Sequence, residues 1–162
     1  MISLTPAADH PELYKALAKD YIKTLRNYDR KIIWSNSAWD QSIGKTTLIE
    51  KDSETIGFVT WSFNTTSRGH TMVYIEEFYI APKFRQKGYG VEAVRVLMQE
   101  AGANYLYLYV LTRNMIAKSF WAKAERELGW CRIVYDEIPE ENGCDLRIYK
   151  QKPKKQKKEA EA

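Results

Sequence analysis

The chain has 162 residues, of which 44% are apolar and 28% charged, enough for one domain with a hydrophobic core and too few for two. It contains no run of the roughly 20 apolar residues that a membrane helix needs, and no secretion signal precedes His10. Two separated cysteines and two isolated histidines, His10 and His70, exclude a disulfide framework and do not support a metal site. We therefore expect a cytoplasmic protein with no metal ion and no membrane segment.

The net charge of +4 comes from the end of the chain. Residues 150–162 hold six lysines and two glutamates, which leaves 19 basic and 19 acidic side chains in residues 1–149. The end segment has no apolar residue larger than alanine and cannot bury enough surface to fold. We interpret 1–149 as a single domain and 150–162 as a disordered basic tail. Nucleic-acid binding is expected to be weak and confined to that tail.

The first helical pattern follows a short predicted strand at 2–6. From Asp9 onward, Leu13, Leu17, Tyr21 and Leu25 recur every four residues, which predicts one apolar helix face. The aromatic-rich stretch that follows predicts a second helical or irregular piece.

The rest of the body alternates β-rich and helical patterns. The β-rich runs 46–51 and 56–63, separated by Asp52, Ser53 and Glu54, predict a hairpin. Gly102 and Gly129 mark the C-terminal ends of two predicted helices. A strand, a helix and a strand between 71 and 111 predict two neighbouring parallel strands with a right-handed crossover. The predicted elements are strands 46–51, 56–63 and 71–80, helix 91–102, strand 105–111, helix 114–128, and strands 130–135 and 146–149.

The turn between strand 71–80 and the next helix is basic and rich in glycine. It reads Arg85-Gln86-Lys87-Gly88-Tyr89-Gly90. Glycines allow a ligand to approach the backbone, and the first amides of a helix are unpaired and carry the positive end of its dipole. Such a turn is suited to phosphate or pyrophosphate, although many turns of this kind need glycine only for their shape.

Two adjacent carboxylates, Glu76 and Glu77, lie in a strand that should be covered on both faces. Side chains alternate along a strand, so at least one of the two must be paired or must face a polar cleft. A carboxylate in such a cleft can bind or deprotonate a substrate.

These residues resemble the GNAT (GCN5-related N-acetyltransferase) superfamily. The segment YIEEFYIAPKFRQKGYG carries the family's Gln/Arg-x-x-Gly-x-Gly/Ala signature at Arg85, Gly88 and Gly90. Downstream, Asn114-x-x-Ala117-x-x-Phe120-Trp121 resembles the family's second motif, and residues 54–59 resemble the strand before the first. The resemblance implies an α/β (α+β) fold with flanking helices around a mixed, mostly antiparallel sheet, in which the parallel strands 71–80 and 105–111 splay apart near Phe78 and Tyr109.

The resemblance also implies that acetyl-CoA is the cofactor and that it binds where those strands diverge. Its pantetheine arm would pair with residues 78–80, its pyrophosphate would lie on the amides of residues 86–91, and Asn114 would bind the arm. The implied cofactor-binding residues are Phe78, Tyr79, Ile80, Arg85, Gln86, Lys87, Gly88, Tyr89, Gly90, Val91, Asn114 and Phe120.

The acceptor is expected to be a primary amine. Acidic residues at this point of the strand are similar to those of diamine and polyamine acetyltransferases, which implies that Glu76, our first choice, or Glu77 attracts the ammonium group and takes its proton. The N-terminal helical region offers aromatic residues for the acceptor pocket, since a cation gains energy over a ring. These are Tyr21, Tyr28, Trp34 and Trp39, of which Tyr28 and Trp34 are the candidate substrate contacts. A polyamine, an aminoglycoside, an amino-acid amine and a protein lysine all remain candidate acceptors, and a homodimer stays open.

One departure from the family affects the proton donor. Many members have a tyrosine where this chain has Trp121, and that tyrosine protonates the departing thiolate, which an indole cannot do. Tyr109, Tyr135 and water are the candidates to replace it. The alternative is a non-catalytic acyl-CoA-binding or sensor domain on the same fold.

Overall fold

The computed structural model describes residues 1–32, 35–138 and 143–149, and these form seven strands and four α-helices. Short 3₁₀ turns at Ala7–Asp9, Ile43–Lys45 and Pro82–Phe84 connect some of them. In chain order the elements are β1 (Ile2–Pro6), α1 (Pro11–Leu25), α2 (Asn36–Ser42), β2 (Thr46–Lys51), β3 (Glu54–Thr65), β4 (Thr71–Ile80), α3 (Tyr89–Ala101), β5 (Tyr105–Leu111), α4 (Met115–Leu128), β6 (Cys131–Ile138) and β7 (Gly143–Tyr149).

The strands form one sheet in the order β1-β2-β3-β4-β5-β7-β6. β4 and β5 are parallel and every other neighbouring pair is antiparallel, which confirms the mixed, mostly antiparallel fold. The parallel pairing covers only Met72–Ile75 against Tyr105–Leu108. Beyond it, β4 continues along β3 to Ile80 and β5 continues along β7 to Leu111. The two central strands therefore diverge, as expected, and leave a wedge between them.

Helices cover both faces of the sheet. On one face, buried residues of α3 and α4, including Leu97 and Trp121, pack on Val73 and Leu106 of the central strands. On the other face, Tyr14 and Ala18 of α1 pack with Leu48, Phe58 and Tyr79. This second core holds α1 against the half of β4 that borders the wedge.

The buried face of α1 differs from the predicted one by about one residue. Tyr14, Ala18 and Ile22 are buried, whereas Leu13 is 47% exposed. Leu17 and Tyr21 lie at the edge of the same core. Apolar residues do recur every four positions in α1. The neighbouring stripe, which carries Tyr14 and Ala18, is the one that packs in the cluster with Phe58, and Leu13 is not part of that cluster.

Several expectations concern residues outside the described part of the chain, namely Ile33, Trp34 and the lysine-rich segment 150–162. In the described part, no helix combines the length and the apolar character that crossing a bilayer requires. The same residues contain no group of three or more metal-ligating side chains.

Candidate active site

The turn before α3 forms a backbone cradle. Gln86 and Gly88 have φ angles of 60° and 80°, so two left-handed residues fold the chain tightly just before the helix. Gly88 is the N-cap residue and contributes no side-chain cap, and the first amides of any helix have no acceptor within it. Consecutive amides in this arrangement form an anion-binding nest at the positive end of the helix dipole. The geometry of this turn is therefore suited to a phosphate group.

Arg85 stabilises this turn from its N-terminal side. Its Nε donates a hydrogen bond of 2.7 Å to the carbonyl oxygen of Ile80, and its guanidinium carbon lies 5.4 Å from the centre of the Tyr79 ring. These contacts connect the end of β4 to the cradle.

The two glycines of the turn serve different purposes. At Gly88 the space around an added Cβ is open, so it is the left-handed φ that favours glycine. At Gly90 an added Cβ would lie 2.7 Å from the Phe120 ring. Gly90 thus allows α3 to approach α4 closely.

A cleft of about 770 Å³ extends from this cradle along the end of β4 and the first turns of α4. All of the predicted cofactor-binding residues except Lys87 line it, and so does the predicted substrate contact Tyr28. Asn114 also caps α4, because its Oδ1 accepts a hydrogen bond of 3.0 Å from the amide of Ala117. That cap leaves the Nδ2 donor of Asn114 for a ligand.

A second, smaller cavity of about 300 Å³ lies in the wedge between β4 and β5. It contains the three predicted catalytic residues whose side chains the structure describes, Glu76, Glu77 and Tyr109. Phe78 lines both this cavity and the larger cleft, so the two spaces meet at the point where the strands separate.

A β-bulge decides the direction of the two carboxylates. Glu77 pairs with Thr60 and Ile75 pairs with Trp61, so Glu76 is an extra residue without a partner on β3. Alternation alone would direct Glu76 and Glu77 to opposite faces, but the bulge interrupts it. Both residues are part of the lining of the same cavity.

Glu77 is the more sheltered of the two carboxylates. It accepts a hydrogen bond from the hydroxyl of Tyr21 on α1. Burial raises the pKa of Glu77 to about 7; the Tyr21 hydrogen bond opposes this rise, and the charge of Glu76 adds to it. Glu77 is therefore a carboxyl group that exchanges a proton near neutral pH.

Glu76 has a different partner. The ammonium group of Lys45 lies 2.9 Å from both of its carboxylate oxygens. The side chains of Lys45 and Glu76 are 46% and 32% exposed, so this pair lies at the mouth of the cavity.

The aromatic residues of the site divide between the two spaces. Trp121 is 4% exposed and packs against Phe78 and Phe120. The Tyr109 ring lies over Gly143, where an added Cβ would be 2.0 Å from its hydroxyl oxygen. The backbone of Tyr135 pairs with Leu146 of β7, and its side chain lies outside the described part, as does Trp34.

Two contacts of the site were not predicted. Tyr21 was expected on the apolar stripe of α1 and among the aromatic residues of the acceptor region, but only the packing of that helix brings its hydroxyl to Glu77. Lys45 precedes a strand and carries no motif, so nothing in the sequence marked its pairing with Glu76.

Comparison with known proteins agrees with this geometry. The model of the acetyltransferase (GNAT) family matches residues 10–125. No curated protein sequence matches the chain significantly. Among solved structures, an acetyltransferase of the GNAT family from Bacillus cereus is 18% identical with a TM-score of 0.62, and the match covers 95% of this chain and 99% of that one.

Two other solved structures of similar fold are complexes with ligands. Naa50 of Arabidopsis thaliana, in complex with the bisubstrate analogue CoA-Ac-MVNAL, is 22% identical with a TM-score of 0.55, covering 91% of this chain and 97% of that one. The diaminobutyrate acetyltransferase EctA of Paenibacillus lautus, in complex with L-2,4-diaminobutyric acid and coenzyme A, is 12% identical with a TM-score of 0.64, covering 92% and 95%. At these identities the likeness establishes the fold, and the family model spans well over half of the sequence. This chain therefore belongs to the acetyltransferase (GNAT) family, whose enzymes use acetyl-CoA as the acetyl donor.

Proposed function

We propose that this protein transfers the acetyl group of acetyl-CoA to a primary amine and that Glu77 accepts the proton of that amine. The observation that carries the proposal is the placement of Glu77. Its pKa is raised to about 7 by burial, and it lies in a cavity that opens into a cleft built over an anion-binding helix N-terminus. A general base is most effective when its pKa is close to the working pH.

The residues of the larger cleft suit acetyl-CoA. The left-handed turn at Gln86 and Gly88 and the first amides of α3 would hold the pyrophosphate. The part of β4 beyond Ile75 has no strand beside it on the β5 side, so its backbone can pair with an extended ligand arm. The thioester of that cofactor supplies the acetyl group.

Glu76 and Glu77 divide the work on the amine. A primary amine arrives mostly as an ammonium ion and must lose a proton before it can attack. Glu76, which already holds the Lys45 ammonium group at the mouth of the cavity, is suited to attracting cations. Glu77 lies deeper and has the raised pKa, so we assign the base to Glu77 and reverse the order that the sequence suggested.

The acceptor is a cationic primary amine of modest size at its reactive end, because the cavity holds about 300 Å³. The relatives of the same fold include a peptide-analogue complex, a diaminobutyrate complex and an aminoglycoside acetyltransferase from a soil metagenome. A small diamine or polyamine, an aminoglycoside, an amino-acid amine and a protein lysine are therefore the classes to test.

The test is a mass-spectrometric screen of these amine classes with acetyl-CoA, followed by kinetics on the best acceptor. Glu77→Gln should lower the transfer rate by about 10²- to 10⁴-fold while the affinity for acetyl-CoA stays the same. Glu76→Gln is the matched control, since it removes an adjacent carboxylate; it should raise the KM of the acceptor and leave kcat within severalfold. The loss in Glu77→Gln should shrink at high pH, where more of the amine is already neutral.

A second function has one observation in its favour. Trp121, buried where relatives carry a proton-donating tyrosine, would suit a domain that binds acyl-CoA without turning it over. Acetyl-CoA binding without product from any amine class would support that alternative. A different result, an inactive Glu76→Gln variant together with an active Glu77→Gln variant, would contradict our choice of base.

A further inference from the structure

Tyr21 stands at the junction of the two cavities. Six described residues line both, namely Tyr21, Leu25, Phe78, Asn114, Ala117 and Trp121. Among these six, only Tyr21 has an ionisable side chain. Its hydroxyl is hydrogen-bonded to Glu77, so it connects the acceptor cavity to the cofactor cleft.

Packing holds the Tyr21 ring in this place. The ring lies edge-on to buried Phe58 with centroids 5.5 Å apart, and it is tilted against Tyr79 at the same separation. These contacts hold the ring within a core that fixes α1 to β3 and β4. The hydroxyl therefore stays at the junction with little freedom to move away, which is what a group that passes a proton needs.

We propose that Tyr21 carries the proton from Glu77 to the sulfur atom that leaves during acetyl transfer. The proposal rests on the function proposed above. It assigns to α1 the role of proton donor, and it makes the hydrogen bond between Tyr21 and Glu77 a part of the reaction.

The step conserves every proton. The acceptor ammonium ion first loses one proton through Glu77 to bulk water, which leaves a neutral amine beside an ionised Glu77. One N–C bond then forms and one C–S bond breaks, and the second proton of the nitrogen passes to Glu77. The neutral Glu77 then donates to the Tyr21 oxygen while Tyr21 gives its own proton to the sulfur. Both side chains return to their starting state, and the products are the amide and the thiol.

Protonation of Glu77 is what frees the Tyr21 proton. In the resting state the hydroxyl donates to the carboxylate, and burial followed by the Glu77 charge holds the pKa of Tyr21 well above its usual range. Once Glu77 is neutral, its charge no longer opposes ionisation of the phenol and it can itself donate. The hydrogen bond then reverses, and the phenol proton is available to the cofactor side.

The surrounding groups allow this exchange. On α1, Tyr14 also raises the pKa of Tyr21, but its own hydroxyl is bonded to Ser42. The other titratable or charged groups around the pair include Glu76, Tyr74 and Tyr79 on β4, Tyr109 on β5, Lys45 through Glu76, and Arg85 and Asp20 through Tyr79. Of the two tyrosines proposed from the sequence as proton donors, Tyr109 lines the smaller cavity and is not among the described residues of the larger cleft.

The test compares Tyr21→Phe with Tyr14→Phe. Each variant removes one hydroxyl from the same helix and from rings that contact Phe58, but only Tyr21 faces the cavities. Tyr21→Phe should lower kcat by about 10²-fold even at high pH, where Glu77 is fully ionised, and should leave the affinity for acetyl-CoA within severalfold. Tyr14→Phe should keep the parental rate and pH profile.

A second readout needs no turnover. The carboxyl infrared band of Glu77, identified by its loss in Glu77→Gln, should titrate at higher pH in ligand-free Tyr21→Phe, because the hydrogen bond that lowers the Glu77 pKa is gone. The relay is supported if the Glu77 band of Tyr21→Phe titrates at higher pH and the kcat of the same variant stays low at high pH.

Four outcomes would overturn it. If Tyr21→Phe regains the parental kcat at high pH, Tyr21 only tunes Glu77. If neither the titration nor kcat changes, the hydrogen bond is structural. If Glu77→Gln keeps the parental rate, the base assignment itself fails and the relay fails with it, whereas an inactive Glu77→Gln beside a fully active Tyr21→Phe removes the relay alone.

Discussion

Lys45 holds both carboxylate oxygens of Glu76 at 2.9 Å, so an ammonium group of the protein already lies where a substrate ammonium would be attracted. The two side chains are separated by 31 positions in the sequence and meet only because the turn before β2 packs beside the bulge in β4. A partly exposed pair of this kind stabilises the fold by only ~0 to 1 kcal/mol. An incoming cation can therefore displace Lys45 at low cost.

Replacement of Lys45 by methionine should make Glu76 more available to the acceptor. We expect Lys45→Met to lower the KM for a cationic amine by about twofold to fivefold, the range that ~0.5 to 1 kcal/mol allows, with kcat unchanged. Steady-state kinetics at low and high salt would check this, because screening should reduce the difference. Lys51→Met is a suitable control, since Lys51 pairs with Asp52 in the β2–β3 hairpin. A higher KM in Lys45→Met would mean that Lys45 helps to bind the acceptor.

The raised pKa of Glu77 makes the stability of the fold depend on pH. Because the pKa is about 7 in the folded protein and 4.5 as the ordinary value, folding favours the protonated carboxyl. That stabilisation is complete below pH 4.5 and is lost as the pH rises through 7. The loss is ~1 to 3 kcal/mol after allowance for partial exposure. Urea unfolding at pH 5 and pH 8 should show this loss of unfolding free energy in the parent, and the loss should be absent in Glu77→Gln. Equal pH dependence in both proteins would contradict the assignment.

The glycines of the cradle should respond differently to alanine. Gly88→Ala forces a Cβ into a left-handed backbone at a cost of ~1 kcal/mol or more, which should distort the nest and weaken acetyl-CoA binding by about tenfold. Gly90→Ala should weaken binding by displacing Phe120, which lines the cleft. Calorimetric titration with acetyl-CoA measures both effects. Gly44→Ala, at an open site with ordinary φ, is the control. Unchanged affinity in Gly88→Ala would remove the cradle as the phosphate site.

Asn114 caps α4 and is expected to bind acetyl-CoA, and two variants separate these roles. Asn114→Asp keeps an oxygen to cap the Ala117 amide and so should keep the melting temperature, but it loses the Nδ2 donor and should weaken acetyl-CoA binding by about fivefold to tenfold. Asn114→Ala should lower stability as well, by ~1 kcal/mol. Thermal unfolding with and without acetyl-CoA distinguishes the two. If Asn114→Asp binds as tightly as the parent, Asn114 is a helix cap alone.

The sequence was sufficient for the order of strands and helices and for the parallel pairing of 71–80 with 105–111, and the family resemblance added the divergence of that pair. The order and the pairing depend on signals that are close together in the chain. The nearly continuous apolar and aromatic runs at 71–80 and 105–111 and the glycines that follow α3 and α4 are local patterns of side-chain size and backbone freedom. Backbone hydrogen bonding and apolar burial then leave few arrangements for a strand, a helix and a strand.

The tertiary structure alone decided the surroundings of the two carboxylates. Strand alternation assigned Glu76 and Glu77 to opposite faces, but the extra residue opposite Thr60 and Trp61 brings both to one cavity, and no residue type in β4 marks that bulge. Glu77 acquires its pKa from burial beneath α1 and from a hydroxyl 56 positions away, while Glu76 is paired with Lys45. A pKa depends on the solvent and charge around a group, and packing between distant segments creates that environment.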